Sequence, residues 1–455
     1  MIAPARVAAY ETLRAVESGR ADLPSALARA RSRLDDERDR ALAGEIAVGT
    51  LRWQGAFDAI VEAFSGRAIA RLDDEILTVL RLSMFQLLHL DRVPAAAVVD
   101  DGVELARKAG KRSAAGFVNA MLRRVSRERK RLPLPAAPGS DADRTAILNY
   151  LSTTLSHPRW LVSRWLDRYG YDAVERWAQF DNAPAPLTLR TNTLRTSKGA
   201  LQQALADAGV GTRDARYARD ALIVTDGNPL LTPLAHHGRF VVQDEASQLV
   251  GEFVGARAGE RILDACASPG GKTTQMAAAM HDRGLIVAAD VRGKRIDLLS
   301  RTVADSGATT IRIVQTDARD AMPFHHHPFD AVLLDAPCSG LGTIRRDPDV
   351  RWRRTESDLP ALADAQLRML TQASTVIRPR GRLIYATCSS EPEENDQVVQ
   401  AFCAANPEFV IEPPAELGEA LRVVIESSGF LRTLPFAHGL EAFFAARLVR
   451  TQNVR

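Results

Sequence analysis

Two cysteines and four aspartates fall where this chain could do chemistry on a nucleoside. The run Arg261-Ile-Leu-Asp-Ala-Cys-Ala-Ser-Pro-Gly-Gly-Lys-Thr-Thr274 reads as a short buried strand, Ile262 to Ala265, broken by Pro269, Gly270 and Gly271 and followed by a helical pattern from Thr273 to Met280. Strand, glycine turn and helix make the first βα unit of a nucleotide-type fold. Adjacent glycines let the backbone pass close to a ligand where a Cβ would collide. Amides at the helix start can donate to a ligand carboxylate or phosphate. Gly271-Lys272-Thr273 imitates the end of a Walker A loop, but the first glycine of such a loop would have to stand at Cys266. The run is not G-x-G-x-x-G either.

Further apolar runs, Leu285 to Ala289, Ile311 to Gln315 and Ala331 to Leu334, lead into Asp290, Thr316-Asp317 and Asp335. With Asp264, carboxylates recur at the carboxyl ends of successive strands, where open parallel sheets bind ligands. A single such Asp is commonly a helix N-cap; four in register favour a nucleoside pocket. Asp290 lies about 20 residues beyond the glycine turn, where a ribose-binding acid is expected. Cys338, in Asp335-Ala-Pro-Cys-Ser-Gly340, and Cys388, in Thr387-Cys-Ser389 after a fifth strand from Arg382 to Ala386, sit just past strand ends on the same rim.

The elements that must position these groups occupy only part of a 455-residue chain, long enough for two to four domains. Hydrophobic content of 46% and charge of 25% are ordinary for a soluble globular protein with a real core. No run approaches a membrane span, and residues 1–20 carry acids and lack an apolar stretch of the signal-peptide kind. Four cysteines make neither a disulfide framework nor a zinc spacing, so reduced thiols and a cytoplasmic location are expected. His325-His-His327 stands in a turn with no accompanying ligand cluster, and no metal is expected.

Residues 1–131 read as an all-α bundle, with Val7-Tyr10-Leu13-Val16 and Leu77-Leu80-Met84-Leu87-Leu88 at helical spacing. From Arg107 to Arg131 ten Lys or Arg face a single acid, Glu128, which suggests a phosphate-facing surface although the formal net charge is only +3. Residues 132–145 are a proline-rich linker. Residues 146–245 read as a small α+β module in which Arg190, Asn192 and Arg195 are candidates for RNA backbone contact, a plain surface role being equally open. Trp160 and Trp165 read as core anchors. Asp244 and its neighbours cap the helix that enters the last domain, residues 246–455. The five arginines between Ile344 and Arg354 suit phosphate and base contacts. Glu391 to Asp396 reads as acids at the positive end of a helix.

Two resemblances sharpen these expectations. Asp264-Ala-Cys-Ala-Ser-Pro-Gly-Gly-Lys-Thr273, Asp335-Ala-Pro-Cys-Ser-Gly340 and Thr387-Cys-Ser389 resemble the S-adenosylmethionine loop and the two cysteine motifs of RNA 5-methylcytosine methyltransferases, over about Ser156 to Arg450. Glu45 to Arg52, Leu80 to Leu88 and Gly116 to Arg123 look like the NusB-type RNA-binding domain, and that fusion is the layout of the RsmB (Sun, Fmu) subfamily. The resemblance implies an RRM-like module, a Rossmann-like class I methyltransferase domain, S-adenosylmethionine as cofactor and an unpaired cytosine of 16S ribosomal RNA as substrate. It also implies site roles. Cys388 is the thiol that attacks C6 of cytosine, Cys338 assists elimination, and Asp335 lies between cofactor and base. Asp290 holds the ribose, Asp317 the adenine edge, and Cys266, Ala267, Ser268, Pro269, Gly270, Gly271 and Lys272 wrap the amino acid end of the cofactor. Cys266 and Cys403 are then buried bystanders. Near the C-terminus Glu441-Ala442 replaces the family's usual Asp-Gly before Phe443-Phe444. A transfer RNA cytosine, or RNA binding without catalysis, are the alternatives. A monomer is expected, although the sequence leaves the oligomeric state open.

Overall fold

A computed structural model describes residues 2–139, 142–324, 328–415 and 418–452; the His325–His327 turn lies outside them. The chain divides into two compact units, Met1–Pro184 with Ile344–Glu356, and Ala185–Thr343 with Ser357–Arg455. The expected module at 146–245 spans that division. No helix among the described residues is long and apolar enough to cross a membrane.

In the first unit, helices Pro4–Glu17, Leu23–Arg31, Glu37–Arg52, Gln54–Ser65, Asp74–His89, Ala95–Lys108 and Ala115–Glu128 surround one apolar core. Asp74–His89 is its axis. Every residue from Ile76 to Gln86 is buried, so this helix has no solvent face over three turns, and Asp74 and Glu75 meet its positive end. Its buried Arg81 is held by both carboxylate oxygens of Asp58, at 2.7 and 2.8 Å, the planar fork that suits a guanidinium in a core. Helices Arg159–Tyr169 and Tyr171–Asn182 bring Trp165 and Trp177 into a stack at 4.2 Å, both fully buried. Trp165 is a core anchor, as expected.

Part of the arginine-rich stretch does something other than expected. Ile344–Glu356 packs within the helical unit as a strap. Arg351 is fully buried and donates to the Ser156 carbonyl at 2.8 Å and the Asn182 side-chain carbonyl at 3.1 Å. Trp352 donates to the Leu51 carbonyl at 2.6 Å, and Arg345 lies 4.2 Å over the Phe180 ring. Carbonyls and an aromatic face of the protein itself take these arginines. Burial lowers the Arg351 pKa to about 9.

In the second unit, strands β1 (Thr188–Thr191), β2 (Gly211–Asp214), β3 (Ala221–Asp226) and β4 (Phe240–Val242) form an antiparallel sheet of order β2-β3-β1-β4. Leu201 and Leu205 of helix Lys198–Asp207 pack on its Leu189, Leu222 and Phe240. Arg190 and Asn192 are corrected here, for both are buried. Arg190 donates to Gln243 at 2.7 Å and Thr274 at 2.8 Å, and Asn192 to the Gly238 and Ser306 carbonyls at 2.7 and 2.8 Å. They tie the small sheet to the glycine-turn helix and to helix Gly293–Ser306. Arg195 also donates to the Ser306 carbonyl, at 3.1 Å.

The large sheet contains β5 (Arg261–Asp264), β6 (Leu285–Asp290), β7 (Ile311–Gln315), β8 (Phe329–Asp335), β9 (Ile377–Thr387), β10 (Phe409–Ile411), β11 (Leu431–Arg432) and β12 (Phe444–Arg450), in the order β10-β12-β9-β8-β5-β6-β7 with β11 on β12. Strands β5 to β9 pair in parallel, while β12 runs antiparallel to β9, β10 and β11. Their near-continuous apolar runs are what a sheet covered on both faces requires.

Candidate active site

The chain leaves β5 for β6 and β7 on one side, then crosses to β8 and β9 on the other. The crevice beyond the carboxyl ends of β5 and β8 is therefore the switch point where open α/β sheets take ligands. The glycine turn follows β5, and Asp335 ends β8.

The turn is fixed from within. Ala267 N–H donates to the Ala289 carbonyl at 2.8 Å, Ser268 N–H to the Asp290 carboxylate at 3.2 Å, and the Ser268 hydroxyl to the Arg295 carbonyl at 3.0 Å. After Pro269, Gly270 takes φ +104°, and a Cβ there would meet Leu299 and Thr302 side-chain atoms at 2.9 and 3.1 Å. A Cβ at Gly271 would meet nothing nearer than Gln243 at 3.4 Å. The atoms that demand glycine at 270 thus belong to the protein, in a left-handed turn packed on a helix. Helix Gly271–Ala279 begins here, and its first amides have no acceptor within the helix.

Carboxylates and one cation line the rim. Asp264 is 1% exposed; one oxygen accepts from Thr273 at 2.7 Å and the other is buried without a partner. Burial raises its pKa to about 7 against the pull of Thr273, with the Asp335 charge adding to the rise and Lys272 opposing it. Lys272 Nζ stands 2.7 Å from Asp335 Oδ2 and 5.7 Å over the Phe443 ring. Burial pulls the Lys272 ammonium down, but Asp335, then Cys388 and Asp264, leave it above its ordinary value. Asp290 is buried and accepts from the Ser268 and Arg292 amides. Asp317, just past β7, is taken by Arg319, whose Nη2 lies 2.6 Å away and whose hydrogen bonds hold the carboxyl below its usual range.

The two cysteine motifs converge. Cys338 Sγ and Cys388 Sγ are 3.3 Å apart. The hydrogen bond to Cys388, burial, and the charges of Cys388 and Glu394 all push the Cys338 thiol well up, against the pull of the Gly340 amide. Cys266 is pushed up by burial and by Asp264, Asp335 and Asp290, and Cys403 on helix Asp396–Ala405 by burial alone, so neither thiol is poised to react. Among the described residues no group of three or more His, Cys, Asp or Glu could hold a metal.

One glycine locks the loops together. Gly342 N–H donates to the Cys388 carbonyl at 2.9 Å and its own carbonyl accepts from Ala442 at 2.9 Å. A Cβ on Gly342 would stand 1.9 Å from the Ala442 carbonyl oxygen. Gly342→Ala is expected to cost about 2–3 kcal/mol through overpacking and to part the two thiols. A lowered melting temperature together with lost activity checks it.

Sequence reasoning missed Glu394. It assigns the acids of 391–396 to a helix dipole; Glu393 and Glu394 do stand in a 3-10 turn, Pro392–Glu394, and Asp396 opens the helix after it, but Glu391 and Glu394 are fully buried. Glu394 accepts from the Ser339 amide at 2.8 Å, from Gln366 at 2.9 Å, and from the hydroxyls of Ser339 and Ser389. The repeated Cys-Ser pair, with an acid six residues past Cys388, was the available signal.

A parallel sheet with this switch point, a glycine turn on β5 and an antiparallel strand beside β9 define a Rossmann-like methyltransferase domain, here following a NusB-like helical domain and a small sheet module. Residues 253–449 match the family described as 16S rRNA methyltransferase RsmB/F, residues 3–127 the NusB family, and residues 157–230 a RsmF/B-like ferredoxin-like domain. Ribosomal RNA small subunit methyltransferase B of Pseudomonas putida is 34% identical, covering 98% of each chain. The protein of that name from Xylella fastidiosa is also 34% identical, covering 99% of this chain and 98% of its own. A crystal structure titled PH0851 superposes with a TM-score of 0.79 at 24% identity, over 98% of this chain and 99% of its own, a likeness of fold. A methyltransferase homolog protein from Pyrococcus horikoshii gives 0.58 at 26% identity, over 68% of this chain and all of its own. The chain belongs to the RsmB/F family of 16S rRNA methyltransferases.

Proposed function

We propose that the protein methylates C5 of an unpaired cytosine in 16S ribosomal RNA, in the cytoplasm, through a covalent bond between Cys388 and C6. The observation that carries this reading is the 3.3 Å approach of the two thiols on the rim that also holds the Lys272–Asp335 pair.

The switch-point crevice fits S-adenosylmethionine. Free amides at the start of helix Gly271–Ala279 suit its carboxylate, the unpartnered oxygen of Asp264 suits its ammonium, and Asp290 and Asp317 at the neighbouring strand ends suit its ribose and adenine. When bound, it supplies an electrophilic methyl group to C5 of the activated ring.

Cytosine C5 is a poor nucleophile. The Cys388 thiolate adds to C6, forming an S–C6 bond and moving the C5–C6 π pair into the ring. The Lys272–Asp335 pair provides the proton that N3 takes up, so the ring accepts sulfur's electrons without building charge. Once C5 carries the methyl, a base takes the C5 proton, the freed pair re-forms the C5–C6 double bond and expels the Cys388 sulfur, and N3 returns its proton to the Lys272–Asp335 pair. Cys338, its proton held tightly, hydrogen-bonds that departing sulfur. The cytosine must leave its stack to reach the crevice, which favours a loop. In this reading residues 1–131 and 146–245 grip RNA and residues 246–455 do the chemistry. Transfer from labelled S-adenosylmethionine to 16S rRNA, followed by nucleoside analysis, tests it: 5-methylcytidine is expected, and any other methylated nucleoside contradicts it.

The basic segment gives a separate expectation. Lys108, Arg112, Arg123 and Arg127 are exposed on or beside helices Ala95–Lys108 and Ala115–Glu128. Replacing all four by Glu should weaken RNA binding at least about tenfold and flatten the plot of log affinity against log salt by about 0.7–0.9 for each phosphate no longer neutralised. A salt titration of binding measures both.

A further inference from the structure

Glu394 is a buried carboxylate that touches neither thiol, yet both cysteine loops end on it. Its two oxygens receive four donors: the Ser339 amide and Gln366 on one, the Ser339 and Ser389 hydroxyls on the other. Ser339 directly follows Cys338, and Ser389 directly follows Cys388. The two hydroxyls also lie 3.1 Å from each other. Gln366 reaches from Glu394 to the Pro337 carbonyl at 3.0 Å, the residue before Cys338, and Tyr385 of β9 holds Gln366 at 3.1 Å. Asn395 completes the clasp on the other loop, donating to the Ser389 carbonyl at 2.9 Å and bonding the Thr387 hydroxyl. Every residue flanking a thiol is therefore tied to Glu394 or its neighbours.

We propose that Glu394 is the positioning residue of the two-thiol site: by binding the serine after each cysteine it sets the distance between the two sulfurs. This rests on the cysteine chemistry proposed above. A carboxylate is the group that can accept all four donors; an amide in its place turns its N–H groups to one side, so that either the two hydroxyl bonds reverse direction or the Ser339 amide and Gln366 lose their acceptor. The negative charge also opposes formation of a second anion at Cys338.

Glu394→Gln tests this. Methyl transfer to 16S rRNA should fall about tenfold in kcat, the size of one charge-assisted hydrogen bond, with KM for S-adenosylmethionine within about twofold of the unaltered protein. The second readout needs neither RNA nor methyl donor. In a Cys266→Ser, Cys388→Ala, Cys403→Ser background, only Cys338 can react with iodoacetamide, and Glu394→Gln should move the midpoint of its pH-rate profile to lower pH. An unchanged kcat with an unmoved midpoint overturns the proposal. Should Glu394→Gln fail to fold, Ser339→Ala and Ser389→Ala, which delete one hydroxyl each, carry the test. Each should lower kcat about threefold, and the pair by about as much as Glu394→Gln; wild-type rates in both overturn it. The alkylation shift in that background, together with no RNA adduct from Cys338→Ala in an otherwise unaltered protein, refutes the cysteine chemistry and leaves the positioning role standing.

Discussion

Cys388→Ala is expected to lose methyl transfer by at least about 10⁴-fold, the scale on which removal of a covalent nucleophile acts when the remaining groups work only with it. The fold should survive. Cys388 is only half-buried, at the tip of β9, and its backbone keeps the bond to Gly342 while Thr387 and Ser389 keep theirs to Asn395 and Glu394. The melting temperature should therefore stay within a few degrees, and the binding of S-adenosylmethionine, which the proposal assigns to the glycine turn, should be unchanged. The variant should also release Cys338. The hydrogen bond that Cys338 makes to Cys388 is the largest cause of the raised Cys338 pKa, with burial second. Removing it should move Cys338 back toward the ordinary thiol range, so that iodoacetamide labels it at lower pH than in the unaltered protein. Retained methyl transfer would remove the nucleophile from this account; an unmoved Cys338 profile would remove the contact between the thiols.

Cys338→Ala should do the opposite of a simple loss. In the proposed mechanism addition at C6 uses Cys388 and the Lys272–Asp335 pair, and all three remain. What disappears is the thiol whose sulfur lies 3.3 Å from the departing sulfur. The S–C6 bond should then outlive the assay, and protein and RNA should migrate together on a denaturing gel, the fraction in adduct rising from a trace to the major species. Multiple turnover should fall by about 10²–10³-fold, the usual contribution of a positioned proton donor, while a single methyl transfer per enzyme proceeds. If neither adduct nor burst appears, the division of labour between the thiols is wrong.

The contrast between these residues and their surroundings explains what the sequence made legible. The glycine turn, the strand-end aspartates and the two cysteine tags are local patterns: short apolar runs, turn residues and fixed offsets that a sheet converts directly into a rim. The arginines at 190, 345 and 351 carry the same charge as RNA-contacting arginines, and nothing local separates a guanidinium that meets phosphate from one that meets Ser156 and Asn182 carbonyls in a core. Only tertiary burial decides. Glu394 escapes notice for a related reason. Next to Glu391, Glu393 and Asp396 it reads as one acid among several at a helix start, and its partners Ser339 and Gln366 lie 55 and 28 residues away. The double glycine suggests a ligand's close approach, whereas Leu299 and Thr302 already exclude a side chain at Gly270.

The most direct measurement is peptide mapping of the adduct formed by Cys338→Ala with 16S rRNA and S-adenosylmethionine. After nuclease and protease digestion, mass spectrometry should find a methylated cytidine nucleotide on the peptide that contains Cys388 and on no other. A nucleotide attached elsewhere, or one that carries no methyl group, would contradict attack by Cys388 on the base that becomes methylated at C5.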